Sequence, residues 1–338
     1  MRIPGSGKLK RIARRVRNRI APPGLILMYH RVTEIESDPW KLCVSPAYFA
    51  EHLQVLQKLG CAVRLQQLNQ TLKNGKRPHR QVVITFDDGY TDNLYNAKPL
   101  LEQYEIPATI FLTTGYMQQK REFWSDELER ILLQPGTLPE VLSLNINGTS
   151  YEWKLDATAN DSEKSNNLDL LHANERYSLY YSLYELLYPL SAQERSHLLD
   201  QLLLWANKKP ELRLTHRMMT MKELSSLQPG NIIEIGGHTV THPFLATISP
   251  EQQLHEIQEN KIQLEEIFGQ TIESFAYPHG NYNSETSDLV RQAGFTCACT
   301  TNANIVGKNS DRFQLPRFAV ENCNGEEFAK QLSKWFLD

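Results

Sequence analysis

No stretch of this chain is apolar over the roughly 18–20 residues that crossing a bilayer requires, so no membrane-spanning helix is expected. Cysteine is scarce. Five occur in 338 residues, an odd number scattered at positions 43, 61, 297, 299 and 323, and no disulfide framework is implied. Cys297 and Cys299 stand one residue apart in an apolar run, where alternate positions share a strand face, and read as core thiols. Acidic residues are absent from positions 1–24, which carry eight basic ones: Arg2, Lys8, Lys10, Arg11, Arg14, Arg15, Arg17 and Arg19. That arm also lacks the apolar core of about 7–15 residues that marks a secretory leader, so it does not read as one. The sequon Asn147-Gly148-Thr149 then carries little weight, since Asn-Gly also makes a hairpin turn.

What is present is ordinary in bulk and uneven in detail. Apolar content of 41% and charged content of 22% suit a soluble globular protein. The net charge of −3 conceals an acidic body: beyond the arm, 28 basic residues face 39 acidic ones, leaving −11. Such a body is a poor nucleic-acid binder. Within the arm, Leu9, Ile12, Ala13, Val16 and Ile20 recur at helical spacing opposite the arginines. That suits a helix on an anionic membrane surface, a docking helix on the protein itself, or a solvated tail.

Ala21-Pro22-Pro23-Gly24 separates the arm from the body, where strands and helices alternate. Apolar runs at Leu25–His30, Val82–Phe86, Ala108–Thr113, Ile232–Gly236, Ser274–Tyr277 and Phe295–Thr300 read as strands. Ser45-Pro46 opens a helix that stops at Gly60, and Ser249-Pro250-Glu251-Gln252 caps a long one ending at Gly269. Further helices are expected from Asp92 to Tyr104 and from Ser284 to Ala293. This rhythm predicts a parallel sheet with helices outside it. Between about Arg121 and Ser225 the character changes. Here a β-hairpin turns at Asn147-Gly148, residues 157–168 form a polar loop, and Tyr177, Tyr180, Tyr181, Tyr184 and Tyr188 make a helical stripe. Ser191 to Glu194 is a capping-box pattern that opens a further helix. The segment is best taken as an insertion. Its tyrosines suit core, interface or sugar stacking.

Chemistry concentrates at the strand ends. Phe86-Asp87-Asp88-Gly89 closes an apolar strand with two adjacent carboxylates, and burying ionised Asp is costly unless charge or hydrogen bonding offsets it. A metal ion is the simplest compensation, and Gly89 lets the chain turn so that both side chains reach one mouth. His238 and His242, four apart after Gly236-Gly237, offer two imidazoles at the spacing of one helical turn. One carboxylate with two imidazoles is a common catalytic zinc set, and the second carboxylate is then free to act as general base. His30, also at a strand end, is a candidate acid for protonating a leaving group.

With these residues in place, Thr85-Phe86-Asp87-Asp88-Gly89 followed by His238-Thr239-Val240-Thr241-His242 resembles the polysaccharide deacetylases of the NodB-homology type, carbohydrate esterase family 4. The family's third signature, R-x-P-x-G, has its counterpart in Ala276-Tyr277-Pro278-His279-Gly280. The resemblance implies a distorted (β/α) barrel over 25–120 and 226–338, with 1–24 as the arm and 121–225 inserted. It implies Asp88, His238 and His242 as ligands of a divalent metal, zinc first, with cobalt, nickel and iron also suited to such a set. Asp87 would be the general base. The metal and the backbone N–H of His279 would stabilise the oxyanion, with Tyr277 and Pro278 on the substrate side. Many members carry the general acid in a C-terminal L-x-H-type motif, yet the last histidine here is His279. Ile26-Leu27-Met28-Tyr29-His30 resembles that motif moved to the N-terminus, the circularly permuted arrangement, which makes His30 the acid. Ala276 stands where the family has the Arg that orients the catalytic Asp, leaving Arg31 or Arg317 as substitutes. The expected activity is metal-assisted removal of N-acetyl groups from a glycan by a cytoplasmic enzyme, with the arm making peripheral contact with an anionic membrane. The alternatives are a metal-independent amidohydrolase, an O-deacetylase or a silent glycan-binding protein.

Overall fold

Leu25–Tyr29 and Val82–Phe86 are buried at every position, which is why they carry no alternation of apolar and polar residues. In the computed structural model, which describes residues 18, 22–117, 121–155, 175–227 and 232–337, both are interior strands of a parallel sheet. The arm helix and the polar loop at 157–168 fall outside the described residues, Asn18 apart. The chain divides into one unit of Met1–Gln118 with Met218–Asp338 and a second of Gln119–Arg217.

The first unit holds β1 (Leu25–Tyr29), β2 (Val82–Phe86), β3 (Ala108–Leu112), β4 (Ile233–Gly237), β5 (Ser274–Ala276), β6 (Cys297–Cys299) and β7 (Phe318–Ala319). Their spatial order is β6-β5-β4-β3-β2-β1-β7, every pair parallel. Six strands thus neighbour one another in chain order, and the last returns beside the first, as a curling sheet requires. The segment before β7 also lies along β6: Leu315 N–H donates to the Ala298 carbonyl at 2.9 Å and Thr300 N–H to the Leu315 carbonyl at 2.8 Å. The result is a curled half-barrel sheet of the distorted (β/α)-barrel kind.

Strand alternation sorts the side chains into two layers. Leu25, Leu27, Val82, Ile84, Ile110 and Phe275 pack outward with Phe49, Leu53, Ile257, Leu264 and Phe328 of the surrounding helices. Ile26, Val83, Phe111, Cys297 and Cys299 face the other way and pack with Leu65, Leu68 and Leu315. Both cysteines are therefore core thiols. Burial of the inner strands on both faces, as in Leu25–Tyr29, Val82–Phe86 and Ala108–Leu112, contributes apolar burial that orders this unit.

Local signals work as expected at several helix ends. Ser45 caps Pro46–Leu59 by accepting from the Tyr48 N–H, and Gly60 ends it at φ 56°. Ser249 and Gln252 form a capping box on Pro250–Phe268. The helix expected from Asp92 to Tyr104 is instead a π turn over Asn93–Ala97 followed by an α-helix over Lys98–Tyr104. Pro99 has no N–H to give the Tyr95 carbonyl, and the Lys98 N–H reaches back to Asn93. His238 to His242 is likewise not a helical turn. It is a loop in which Thr239 and His242 both have positive φ, 66° and 55°.

The second unit contains the hairpin Val141–Ile146 with Thr149–Lys154 and the helices Trp124–Leu132, Glu175–Leu187 and Ala192–Trp205. Asn147 and Gly148, at φ 51° and 82°, make its turn. Tyr180 is buried and Tyr184 stacks on Trp124 with centroids 4.8 Å apart, so part of the tyrosine stripe is packing. The first unit resumes at Met218, where Met219 N–H donates to the Gly89 carbonyl at 3.0 Å and Met218 bridges Tyr90, ahead of the next sheet strand at Ile233.

Candidate active site

In β2 the pleat turns Val83, Thr85 and Asp87 to the sheet's inner face and Phe86 to the outer one. Asp88 would follow Phe86, but its φ of 73° and that of Gly89, 91°, swing the chain round. Both carboxylates thereby reach the C-terminal mouth of the sheet, the end at which parallel sheets place their sites. At its φ of 91° Gly89 takes a conformation that L side chains rarely adopt, and a Cβ there would also press on Leu112 Cδ2 at 2.7 Å.

Asp87 is fixed from behind. Arg317, fully buried, donates Nη1 to Asp87 Oδ1 and Nη2 to Oδ2, both at 2.7 Å. Its Nη1 also reaches Thr85 Oγ1 at 3.1 Å, and its Nε donates to the Thr300 carbonyl at 2.9 Å. Burial alone would raise the Asp87 pKa, but the guanidinium, with His238, outweighs it and holds the carboxyl down at about 2. Of the two arginines expected as orienting groups, Arg317 meets Asp87. The other expectation is corrected: Arg31 Nε donates to Asp92 Oδ2 at 3.0 Å, with its guanidinium 4.3 Å from the centroid of the Tyr90 ring. Adjacency in sequence to His30 misled, because Arg31 and His30 leave the chain on opposite sides of an extended segment.

Asp88, His238 and His242 come together from two loops, with one ligand atom of each within 4.8 Å of the others. His242 Nε2 stands 3.3 Å from Asp88 Oδ1 and 3.2 Å from His238 Nε2. His238 Nδ1 lies 2.7 Å from the Ala276 carbonyl, which can only accept, so Nδ1 carries the proton and the Nε2 lone pair faces the cluster. Asp88 Oδ1 is buried without a hydrogen-bond partner. Burial disfavours the charged form of His238, yet Asp88 and Asp87 together raise its pKa, so the cluster favours positive charge. An orphaned carboxylate oxygen, an oriented imidazole and a second imidazole in reach fit a divalent cation.

His30 Nε2 lies 4.0 Å from Asp87 Oδ2, with a fifth of its side chain exposed. The π turn holds this segment: Asn93 Nδ2 donates to the His30 carbonyl and Asn96 Nδ2 to the Val32 carbonyl, both at 2.8 Å. Asp92 and Asn93 were not singled out from sequence as site residues, and Thr85 entered only as the first residue of the block that holds the Asp-Asp pair.

The third block is divided. His279, at φ 56°, stacks on Phe244 with centroids 3.7 Å apart and lies 4.3 Å from the His242 ring. The substrate-side placement of Tyr277 is corrected, since its side chain is wholly buried and its hydroxyl donates to the Phe313 carbonyl at 2.9 Å. Pro278 is buried as well. Both follow from β5 ending at Ala276, which leaves Tyr277 in the outer core.

A paired carboxylate and two converging imidazoles at the mouth of a curled parallel sheet define a hydrolase-type centre. The family profile for polysaccharide deacetylases matches residues 74–138 and 207–298 of this chain, and its homologues and structural neighbours are polysaccharide deacetylases, a family that is hydrolytic and generally metal-dependent. Among curated relatives, Bacillus subtilis YxkH, which bears a polysaccharide deacetylase name, is 23% identical over 297 residues, covering 87% of this chain and 70% of that protein. The poly-β-1,6-N-acetyl-D-glucosamine N-deacetylase of Staphylococcus aureus is 20% identical over 264 residues, covering 78% of this chain and 61% of the relative's length. Among solved structures, the Streptococcus pyogenes deacetylase PplD aligns with a TM-score of 0.57 at 19% identity, covering 94% of this chain and 98% of that one.

Proposed function

We propose that this chain removes N-acetyl groups from an N-acetylated sugar in a polysaccharide, oligosaccharide or lipid-linked glycan. The observation that carries this is the placing of His30 Nε2 4.0 Å from Asp87 Oδ2, beside the cluster of Asp88, His238 and His242. An acid and a base face one small volume next to three metal-ligating groups. The name of the Staphylococcus aureus relative supports a poly-N-acetylglucosamine as the class of substrate.

Asp88, His238 and His242 would hold a divalent metal, zinc first, which as a Lewis acid polarises an acetamide carbonyl and acidifies a water. Asp87, kept ionised by Arg317, takes the proton from the attacking water at a carboxylate oxygen. His30 gives a proton from Nε2 to the departing amine nitrogen as the C–N bond breaks. One water is consumed, and acetate and a free amine result. The His279 backbone N–H, at the tip of the third block, is the proposed donor to the oxyanion.

The test is acetate release from β-1,6-linked N-acetylglucosamine oligomers, with O-acetylated glycans in parallel. Loss of release on chelation, in Asp87→Asn and in His238→Ala, supports the reading. Intact release in either variant would show the assignment wrong, and release from O-acetyl substrates alone would favour the O-deacetylase.

A further inference from the structure

The helix Pro250–Phe268 turns two polar residues, one helical turn apart, toward the loop that follows β4. Asn260 is fully buried. Its Oδ1 accepts from the His238 N–H at 3.1 Å. Its Nδ2 donates to the Leu112 carbonyl at 3.0 Å, the Thr239 carbonyl at 2.7 Å and Thr114 Oγ1 at 3.2 Å. Glu256 Oε2 accepts from the N–H groups of Val240 and Thr241 at 2.9 and 2.8 Å, and its Oε1 from the Thr241 hydroxyl at 2.6 Å. Each residue from His238 to Thr241 is thus bonded to this one helix. The His242 N–H is held in turn by Thr239 Oγ1 at 3.0 Å.

Two further features fit this arrangement. Thr239 has a φ of 66°, a conformation that a β-branched residue adopts only when its surroundings over-determine it. Both its carbonyl and its hydroxyl are engaged, by Asn260 and by the His238 carbonyl. Gly237, the residue before His238, has no side chain where Asn260 enters: a Cβ there would stand 2.7 Å from Asn260 Oδ1. An apolar residue at 260 would pack the helix on the sheet equally well, but it would leave the bent loop with unsatisfied carbonyls and N–H groups.

We propose that Asn260, assisted by Glu256, is a positioning residue for the metal ligands. It holds the His238–His242 loop in the strained shape that aims both imidazoles at Asp88. The inference rests on the metal-binding reading above, and its test reads the metal site directly.

The purified full chain, stripped of metal, is titrated with Co2+ as the probe, and affinity and d–d absorption are recorded. Asn260→Asp keeps the size of the side chain but sets an oxygen against the carbonyls of Leu112 and Thr239. Its Co2+ affinity is expected to fall by about 10–100-fold, with altered absorption bands. Glu256→Gln, which retains one acceptor, should show a smaller loss in the same direction. Leu264→Ala destabilises the same helix through the apolar core without touching the loop, and should keep wild-type affinity and spectrum. The proposal is overturned if Asn260→Asp binds Co2+ within about two-fold of wild type with unchanged bands. An equal loss in Leu264→Ala, which would mark a merely structural role, also overturns it. Should Asn260→Asp fail to fold, unchanged binding in Glu256→Gln overturns it alone. Wild-type protein that takes up no Co2+ overturns the metal-binding reading and this inference together, and does so without reference to any variant.

Discussion

Arg317 grips both oxygens of Asp87 at 2.7 Å across 230 residues of sequence, and neither side chain is open to solvent. A buried ion pair of this geometry contributes less to stability than to orientation, because desolvation consumes most of its Coulomb gain. Its value lies in what happens when half of it is removed.

Arg317→Met strands the Asp87 carboxylate in the core. The variant should lose about 3–5 kcal/mol in urea unfolding and at least about 100-fold in acetate release. Adding Asp87→Asn should restore much of the stability and none of the activity. A double variant no more stable than Arg317→Met would show that the pair is not what couples these positions.

Removing a ligand should act through occupancy. Asp88→Ala and His242→Ala are expected to lower bound zinc from about one ion per chain to a small fraction of that, read by elemental analysis after dialysis. Wild-type acetate release should vanish with chelator and return on adding zinc. Full zinc content in both variants would place the ion elsewhere.

Stability should also respond to pH through His52, on the helix Pro46–Leu59. Burial lowers its pKa to about 4, while the ring bonds the Tyr29 hydroxyl and the Cys323 carbonyl and stacks on Phe328. The unfolded chain binds this proton from about pH 6.5 downward and the folded chain only near 4. Stability from this group is therefore whole above about 6.5 and declines as pH falls to about 4, by about 3 kcal/mol. Denaturant titrations across that window should show the decline in wild type and a flatter curve in His52→Gln.

The basic arm invites a direct binding measurement. Full chain should cosediment with vesicles rich in anionic lipid at low salt, and deletion of residues 1–24 should reduce that by at least about ten-fold. Equal binding by both proteins would remove the proposed membrane role.

The alternation of elements was legible because it depends on neighbours. The apolar runs of β1 and β2, the Ser45 and Ser249 caps and the Asn147-Gly148 turn each act within a few residues. The candidate site groups were legible for another reason: Asp87, Asp88, His238 and His242 are residue types that a buried strand end carries only at a cost, so their mere presence there is informative. Local reasoning failed where spacing stood in for geometry. Four-residue spacing suggested a helical turn at His238, but Thr239 and His242 take left-handed conformations that only the contacts around them maintain.

The sequence by itself determined six of the sheet's seven strands, that they run parallel, and which side chains are the candidates for the chemistry. Only the tertiary structure decided who holds them. Arg317, rather than Arg31, reaches Asp87, because the stretch before β7 passes β6 on its way to pair with β1. Tyr277 went to the core, and Asn260 emerged at the back of the His238–His242 loop. The physical reason is common to all three. Hydrophobic periodicity and capping are properties of short segments, whereas the partner of a buried charge or amide is chosen by where the closed sheet brings distant backbone together.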